Sequence, residues 1–136
     1  MTTRILLIED NAKDQRLVEI ALAEATSFEH TLQAKKSLEE GLAHMDAHPT
    51  DVVLLDLNLT DSTGLSSLER VLDTHPEVPV IVLTGLADES LGDQAIRAGA
   101  QDFLVKGKMF GELLYRAIRY AKERHSILLK LREAAE

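Results

Sequence analysis

The sequence predicts an α/β protein in which five β-strands alternate with five α-helices, (βα)5, and form one parallel sheet. Five short segments rich in β-branched and aliphatic residues recur at nearly even spacing, and the stretches between them are long enough for helices. Three of these segments are apolar almost throughout, which is typical of strands that a doubly wound fold covers with helices on both faces. The predicted strands are residues 4–9, 28–34, 51–56, 78–84 and 101–106.

The second predicted strand, residues 28–34, alternates apolar and polar residues, which indicates an edge position. The helices are predicted from apolar residues that recur every three or four positions and should face the sheet. These residues are Leu17, Ile20, Ala21 and Ala25 in the first helix, Leu38, Leu42 and Met45 in the second, and Leu65, Leu68 and Leu72 in the third. Pro49 ends the second helix, and the third begins at Gly64 and ends before Pro76. The fourth helix, about residues 88–98, has few apolar residues.

The fifth helix is expected to run well past the sheet. From about residue 110 to 134 it would be about 37 Å long, at about 1.5 Å per residue. Its first half presents apolar residues to the sheet, and its second half continues them in heptad phase. The residues are Leu114, Ala117, Ile118 and Ala121, then Leu128, Leu131 and Ala135. We expect residues 1–122 to form the domain and residues 123–136 to extend the helix as a linker or dimerisation helix. A frayed or folded-back tail is the alternative.

Composition excludes several classes of protein. The 136 residues include no Cys, which excludes a disulfide scaffold, a zinc-thiolate site and a cysteine nucleophile. Apolar runs fall far short of the ~20 residues that span a bilayer, and the amino terminus does not resemble a secretion signal. A cytoplasmic protein without a membrane partner is therefore expected. Residues 1–115 carry 9 basic and 20 acidic side chains, so direct nucleic-acid binding is not expected.

Polar side chains stand where the predicted strands end. Glu9 and Asp10 follow the first strand, Asp56 ends the third, Thr84 ends the fourth and Lys106 ends the fifth. Each has an ordinary explanation by itself, such as a helix cap, a turn residue or a surface lysine. Parallel strands end at one edge of their sheet, however, so all five side chains are expected to converge there.

Clustered carboxylates repel one another unless a cation lies between them, and a small hard divalent ion suits oxygen ligands. Mg²⁺ fits best, because it commonly binds one or two carboxylates together with phosphate oxygens. A carboxylate can itself act as a nucleophile and form an acyl phosphate, while Lys106 neutralises charge on the phosphoryl oxygens. The cluster therefore predicts a site that holds a phosphoryl group.

These residues resemble the receiver domains of two-component response regulators, the CheY-like superfamily. The resemblance covers residues 4 to about 120. Its motifs are the acidic pair Glu9-Asp10, the segment 52–59 with Gly64-Leu65 after it, the segment 80–85, and the segment 99–106. The resemblance implies a flavodoxin-like sheet with strand order 2-1-3-4-5.

The resemblance also implies that Asp56 accepts a phosphoryl group from a phosphohistidine of a sensor histidine kinase or a phosphotransfer protein. It assigns the Mg²⁺ ligands to Glu9, Asp10, Asp56 and the backbone carbonyl of Asn58. Such a domain signals and is not an enzyme, since it catalyses only its own phosphorylation and dephosphorylation.

In the same resemblance Thr84 bonds a phosphoryl oxygen and moves inward on activation, Phe103 is the switch aromatic that turns inward with it, and Lys106 pairs with another phosphoryl oxygen. The surface of helix 4, strand 5 and helix 5 then controls a partner or output. Either this surface or the extended helix can form a homodimer. Two positions depart from the family pattern: Gly107 and Thr60 stand where many members have Pro. The loop after Lys106 is therefore expected to take a trans path.

Three alternatives remain. The chain can be a receiver-like interaction module that works without phosphorylation. Residues 56–60 also resemble the Asp-x-Asp-x-Thr motif of haloacid-dehalogenase-type phosphatases, although Asn58 cannot serve as the second, titrating Asp. Finally, His44 and His48 are spaced to bind a metal on one helix face, but Pro49 and the lack of a HEXXH pattern favour surface histidines.

Overall fold

The computed structural model describes residues 2–25, 28–85, 88–108 and 111–135. Within these ranges the chain forms five strands, five α-helices and one 3-10 turn. The strands are β1 Thr3–Ile8, β2 His30–Lys35, β3 Val52–Asp56, β4 Val80–Thr84 and β5 Asp102–Val105. The helices are α1 Ala12–Glu24, α2 Leu38–Ala47, α3 Leu65–Thr74, α4 Glu89–Arg97 and α5 Gly111–Ala135, and the 3-10 turn is Lys106–Lys108.

All strand pairs are parallel and the sheet order is β2-β1-β3-β4-β5, which confirms the predicted doubly wound fold and places β2 at an edge. Helices α2, α3 and α4 cover one face of the sheet, where Leu38, Leu68 and Ala95 are buried. Helices α1 and α5 cover the other face through residues such as Leu22 and Leu114. Because both faces are covered, every residue of β3 and β4 is buried, as the apolar runs predicted.

The apolar stripe predicted for the first helix is confirmed in part, since Ala21 and Ala25 are buried. Leu17 and Ile20 are each 45% exposed, so placing them against the sheet was wrong. The buried residues are Val18, Ala21, Leu22 and Ala25. The helix carries two overlapping apolar stripes at helical spacing, and the pattern alone does not decide between them. Packing of α1 against α5 as well as the sheet selects the stripe that contains Val18 and Leu22.

Helix α5 contains 25 residues and buries Leu114, Ala117, Ile118 and Ala121, as predicted. Its expected first residue, Phe110, lies outside the described residues. The helix stays attached to the domain as far as His125, which is 6% exposed. The His125 Nε2 lies 2.9 Å from the Pro76 carbonyl oxygen, and Arg124 Nη2 donates to the Gln101 carbonyl at 3.1 Å.

Beyond His125 the helix projects from the domain. Ile127 is 59% exposed and Leu131 is 63% exposed. None of the helices in the described ranges is long and apolar enough to cross a lipid bilayer. The end of α5 therefore presents apolar side chains outside the core of the domain.

Candidate functional site

The strand pairing brings the predicted site residues to one edge of the sheet. Ile8 pairs with Leu55, Asp56 with Leu83, and Thr84 with Val105, so these strands end nearly level with one another. The interior residues of these strands are apolar and packed in the core, so the polar side chains lie at the strand ends. Because the strands are parallel, these ends lie at the same edge of the sheet. Four strands thus contribute to one site, as the sequence predicted.

Three carboxylates meet at this edge. Each of Glu9, Asp10 and Asp56 offers one oxygen, and these oxygens lie within 4.8 Å of one another. Glu9 is fully buried, Asp56 is 3% exposed and Asp10 is partly exposed. Oε2 of Glu9 has no hydrogen-bond partner among the described residues, whereas Oε1 faces an ammonium group. Oxygen donors this close, one of them buried without a hydrogen bond, fit a small divalent cation.

Lys106 provides the positive charge within the cluster. Its Nζ lies 2.8 Å from Glu9 Oε1 and 3.1 Å from Asp56 Oδ2. Burial by itself would lower the pKa of Lys106, but the contacts with Glu9 and Asp56 raise it above its ordinary value. The lysine is therefore charged and placed where the resemblance expects it.

Glu9 is the electrostatically disfavoured member of the cluster. Burial, and next the neighbouring Asp56 carboxylate, raise the pKa of Glu9 from 4.5 to about 8, although Lys106 opposes the change. One ammonium therefore does not neutralise the buried carboxylates. A further cation would favour the ionised form of Glu9.

A tight loop follows Asp56. The backbone N–H of Asn58 donates to Asp56 Oδ1 at 3.0 Å, and Asn58 pairs with Thr63 in an isolated bridge. Gly64 immediately precedes the first residue of α3, which confirms the predicted start of this helix. Its backbone has φ 64° and ψ −151°, a conformation that only glycine adopts readily. The loop orients the Asp56 carboxylate. Coordination of a cation by the Asn58 carbonyl stays a prediction.

Thr84 and Phe103 occupy the positions of the predicted switch. Thr84 is buried, and its Oγ1 has no hydrogen-bond partner in the described part of the chain. Phe103 pairs with Val82 in the sheet and packs its half-buried ring against α4. A Cβ atom on Gly92 of α4 would lie 2.5 Å from the Phe103 ring, so the glycine permits the close approach. Movement of either residue stays a prediction.

The loop after Lys106 contains Gly107 within the 3-10 turn. Among the described residues there is no cis peptide bond, which confirms the expected trans path. The lysine reaches the cluster without the restraint of a proline.

His44 and His48 stack on each other. Their ring centroids are 4.6 Å apart and the ring planes differ by 15°. Nearly parallel rings do not direct their nitrogen lone pairs to a common point. The arrangement therefore favours surface histidines over a chelating pair, as the sequence indicated.

Sequence reasoning missed Asp14 of α1. Its Oδ2 accepts a hydrogen bond from Lys106 Nζ at 3.1 Å. The residue stands in the first turn of α1, where its backbone N–H donates to the Asn11 side chain. An acidic residue is common in a first turn because it suits the helix dipole, so the pattern carried no signal of a contact with Lys106.

The family model described as "Response regulator receiver domain" matches residues 5–118. The transcriptional regulatory protein KdpE of the Escherichia coli KDP operon is 36% identical over 124 residues, which cover 91% of this chain and 53% of KdpE. The chemotaxis protein CheY of Listeria monocytogenes is 30% identical over 101 residues, covering 74% of this chain and 84% of CheY. The C4-dicarboxylate transport transcriptional regulatory protein DctD of Rhizobium meliloti is 30% identical over 135 residues, 97% of this chain. This chain spans 28% of DctD.

Solved structures show the same fold. The crystal structure of NtrX from Brucella abortus in complex with ADP superposes with a TM-score of 0.85 at 26% identity, covering 98% of this chain and 30% of NtrX. The receiver domain of NtrX alone gives a TM-score of 0.77 at 28% identity and covers 88% of this chain and 98% of that domain.

The raised pKa of Glu9 predicts how stability depends on pH without divalent cations. Between about pH 5 and pH 8 the folded chain retains a proton that the unfolded chain has released, so the free energy of unfolding should fall as pH rises. Glu9→Gln imitates the protonated group. It should flatten this dependence and raise the free energy of unfolding near pH 8 by a few kcal/mol.

Urea unfolding in the presence of a chelator, followed by circular dichroism, measures this effect. The control variant is Glu69→Gln, which removes an exposed carboxylate from α3. Its free energy of unfolding should depend on pH as steeply as that of the wild type. An unchanged slope in Glu9→Gln would contradict the assignment.

Proposed function

This chain belongs to the response regulator receiver domain family, and from that premise we propose that Asp56 accepts a phosphoryl group from the phosphohistidine of a sensor histidine kinase or phosphotransfer protein. The observation that carries the proposal is the convergence of Glu9, Asp10, Asp56 and Lys106 at the carboxyl edge of the sheet. Asp56 is the member that ends the central strand β3.

The proposed reaction is a displacement at phosphorus. A carboxylate oxygen of Asp56 forms the new P–O bond, the P–N bond to the donor imidazole breaks, and the leaving nitrogen keeps the electron pair. The Asn58 N–H holds the carboxylate in position during this step. Lys106 neutralises negative charge on the transferred group.

The cation that we propose for Glu9, Asp10, Asp56 and the Asn58 carbonyl is Mg²⁺. The close carboxylate oxygens and the raised pKa of Glu9 support this choice. Once bound, Mg²⁺ would withdraw charge from the phosphoryl oxygens and hold the group in line with Asp56.

We propose that the chain acts as a phosphoacceptor and not as an enzyme on other substrates. The phosphatase alternative would need a titrating acid at position 58, where the chain has an amide. The complete acidic set argues against an interaction module that works without phosphorylation. Since histidine kinases draw their phosphoryl group from ATP, the proposal also places the chain in the cytoplasm.

Asp56→Asn is expected to abolish phosphorylation, because an amide cannot form the acyl phosphate. The wild-type chain, incubated with a small acyl-phosphate donor and Mg²⁺, should gain one phosphoryl group by mass spectrometry, and a parallel sample incubated with the donor and a chelator should gain none. Asp73→Asn, which removes an exposed carboxylate from α3, is the matched control and should behave like the wild type. Modification that survives Asp56→Asn would refute the assignment.

Receiver domains of response regulators interact with histidine kinases. We propose that the exposed face of α1 receives the phosphodonor. The helix begins two residues after Asp10, and Leu17 lies about 7.5 Å along its axis from Ala12. Leu17 and Ile20 thus offer exposed apolar contacts beside the phosphorylation site.

The double variant Leu17→Gln, Ile20→Gln should slow transfer from a phosphorylated kinase by about tenfold, the loss expected when central apolar contacts are removed. Phosphorylation by the small donor should stay at the wild-type rate. The measurement uses kinase catalytic cores first screened for transfer to the wild type. Leu131→Gln, at the far end of α5, is the control. Undiminished transfer to the double variant would exclude this face.

We propose that phosphorylation changes the surface of α4, β5 and α5, with Thr84 and Phe103 as the moving residues, and so controls a partner or output. The Thr84 hydroxyl, which has no hydrogen-bond partner within the described ranges, and the packing of Phe103 against α4 support these roles. We further propose a homodimer through this surface or through the extension of α5, where Leu128 and Leu131 continue the buried seam of the helix in heptad phase.

Analytical ultracentrifugation tests whether the C-terminal extension of α5 forms the dimer contact. With a phosphate mimic bound, the wild type should sediment as a dimer and Leu128→Asp, Leu131→Asp as a monomer, because the charges would be buried at the seam. Ser126→Asp changes a residue off the seam and should dimerise. If the wild-type chain and residues 1–122 are equally monomeric with and without the mimic, the dimer is ruled out.

A further inference from the structure

In the part of the chain that the structure describes, Lys106 contacts one carboxylate that lies outside the proposed cation cluster. Its Nζ lies 2.8 Å from Glu9 and 3.1 Å from both Asp56 and Asp14. The contact with Asp14 has hydrogen-bond geometry. Glu9 and Asp56 belong to the group of carboxylates that can share a cation, whereas Asp14 does not.

A bound divalent cation and the Lys106 ammonium group would therefore compete for the Glu9 and Asp56 carboxylates. An ammonium group has three N–H donors and, without a divalent ion, can direct one toward each of its three neighbours. When Glu9 and Asp56 bind a divalent cation, the lysine loses part of its attraction to them and is repelled by the ion. Asp14 is the neighbouring carboxylate that remains available to hold it.

We propose that Asp14 is a positioning residue that keeps Lys106 beside the site while Glu9 and Asp56 turn to the cation. The proposal rests on the proposed function, since it concerns the same Mg²⁺ and phosphoryl site. In this proposal Asp14 contacts neither the cation nor the phosphoryl group. Its role is to lower the cost of withdrawing the lysine from the cluster.

Two further features fit this role. Asp14 is anchored in the first turn of α1 by the hydrogen bond from its backbone N–H to Asn11 Oδ1, at 3.0 Å. Lys106 is followed by Gly107 in a 3-10 turn, so its own backbone restrains it less than a proline would. The Asp14 side chain is 27% exposed and that of Lys106 is 20% exposed, which limits screening of the pair by solvent.

The test is Mg²⁺ binding, followed by the amide NMR signals of Asp10 and Asn58. In Asp14→Asn the lysine has no other carboxylate outside the cluster among the described residues, so it should compete more strongly with the ion and weaken Mg²⁺ affinity by about three- to tenfold. Asp14→Glu should restore most of the affinity. Glu19→Gln removes one exposed charge from the same helix and should leave the affinity within about twofold of the wild type.

A double-mutant cycle separates positioning from a general loss of negative charge. With Lys106→Gln as the background, Asp14→Asn should no longer change Mg²⁺ affinity. If it weakens binding equally with and without the lysine, or has no effect in the wild-type background, the inference is wrong. If one of these two results is obtained while the wild-type chain still binds Mg²⁺ and is phosphorylated at Asp56, the inference about Asp14 fails and the proposed function stands. A wild-type chain that takes up neither Mg²⁺ nor a phosphoryl group overturns both proposals.

Discussion

Repulsion between buried carboxylates, relieved by a single ammonium group, is the interaction on which the functional edge of this molecule depends. Glu9 and Asp56 are withdrawn from water at the ends of two neighbouring strands, and Lys106 bridges them from a third. The balance is incomplete, because the pKa of Glu9 remains raised to about 8. A site with excess buried negative charge attracts cations and has a charged lysine in place for an incoming anion.

The rigidity of the sheet makes this arrangement possible. β3 and β4 are buried along their whole length and pair in parallel with their neighbours, so the polar residues at their ends have little freedom to separate. Apolar burial on both faces thus offsets the cost of holding like charges together.

The opposite end of the sheet has a different role. There α5 leaves the domain, and His125 and Arg124 tie it to Pro76 and Gln101, residues that precede β4 and β5. Strands β4 and β5 therefore connect the phosphorylation edge, through Thr84 and Lys106, to the base of the projecting helix.

The sequence by itself determined the fold class, the strand order through the resemblance, and the convergence of Glu9, Asp10, Asp56, Thr84 and Lys106. The fold class and the convergence follow from local pattern: apolar runs define the buried strands, and parallel strands must end at one edge. Only the tertiary structure decided which stripe of α1 is buried, because Leu17 and Val18 belong to overlapping patterns that packing against α5 distinguishes. It also decided that Asp14 contacts Lys106 across 92 positions of the chain and that His125 is buried. Contacts of this kind depend on how helices are placed on the sheet, which residue spacing within one helix does not encode.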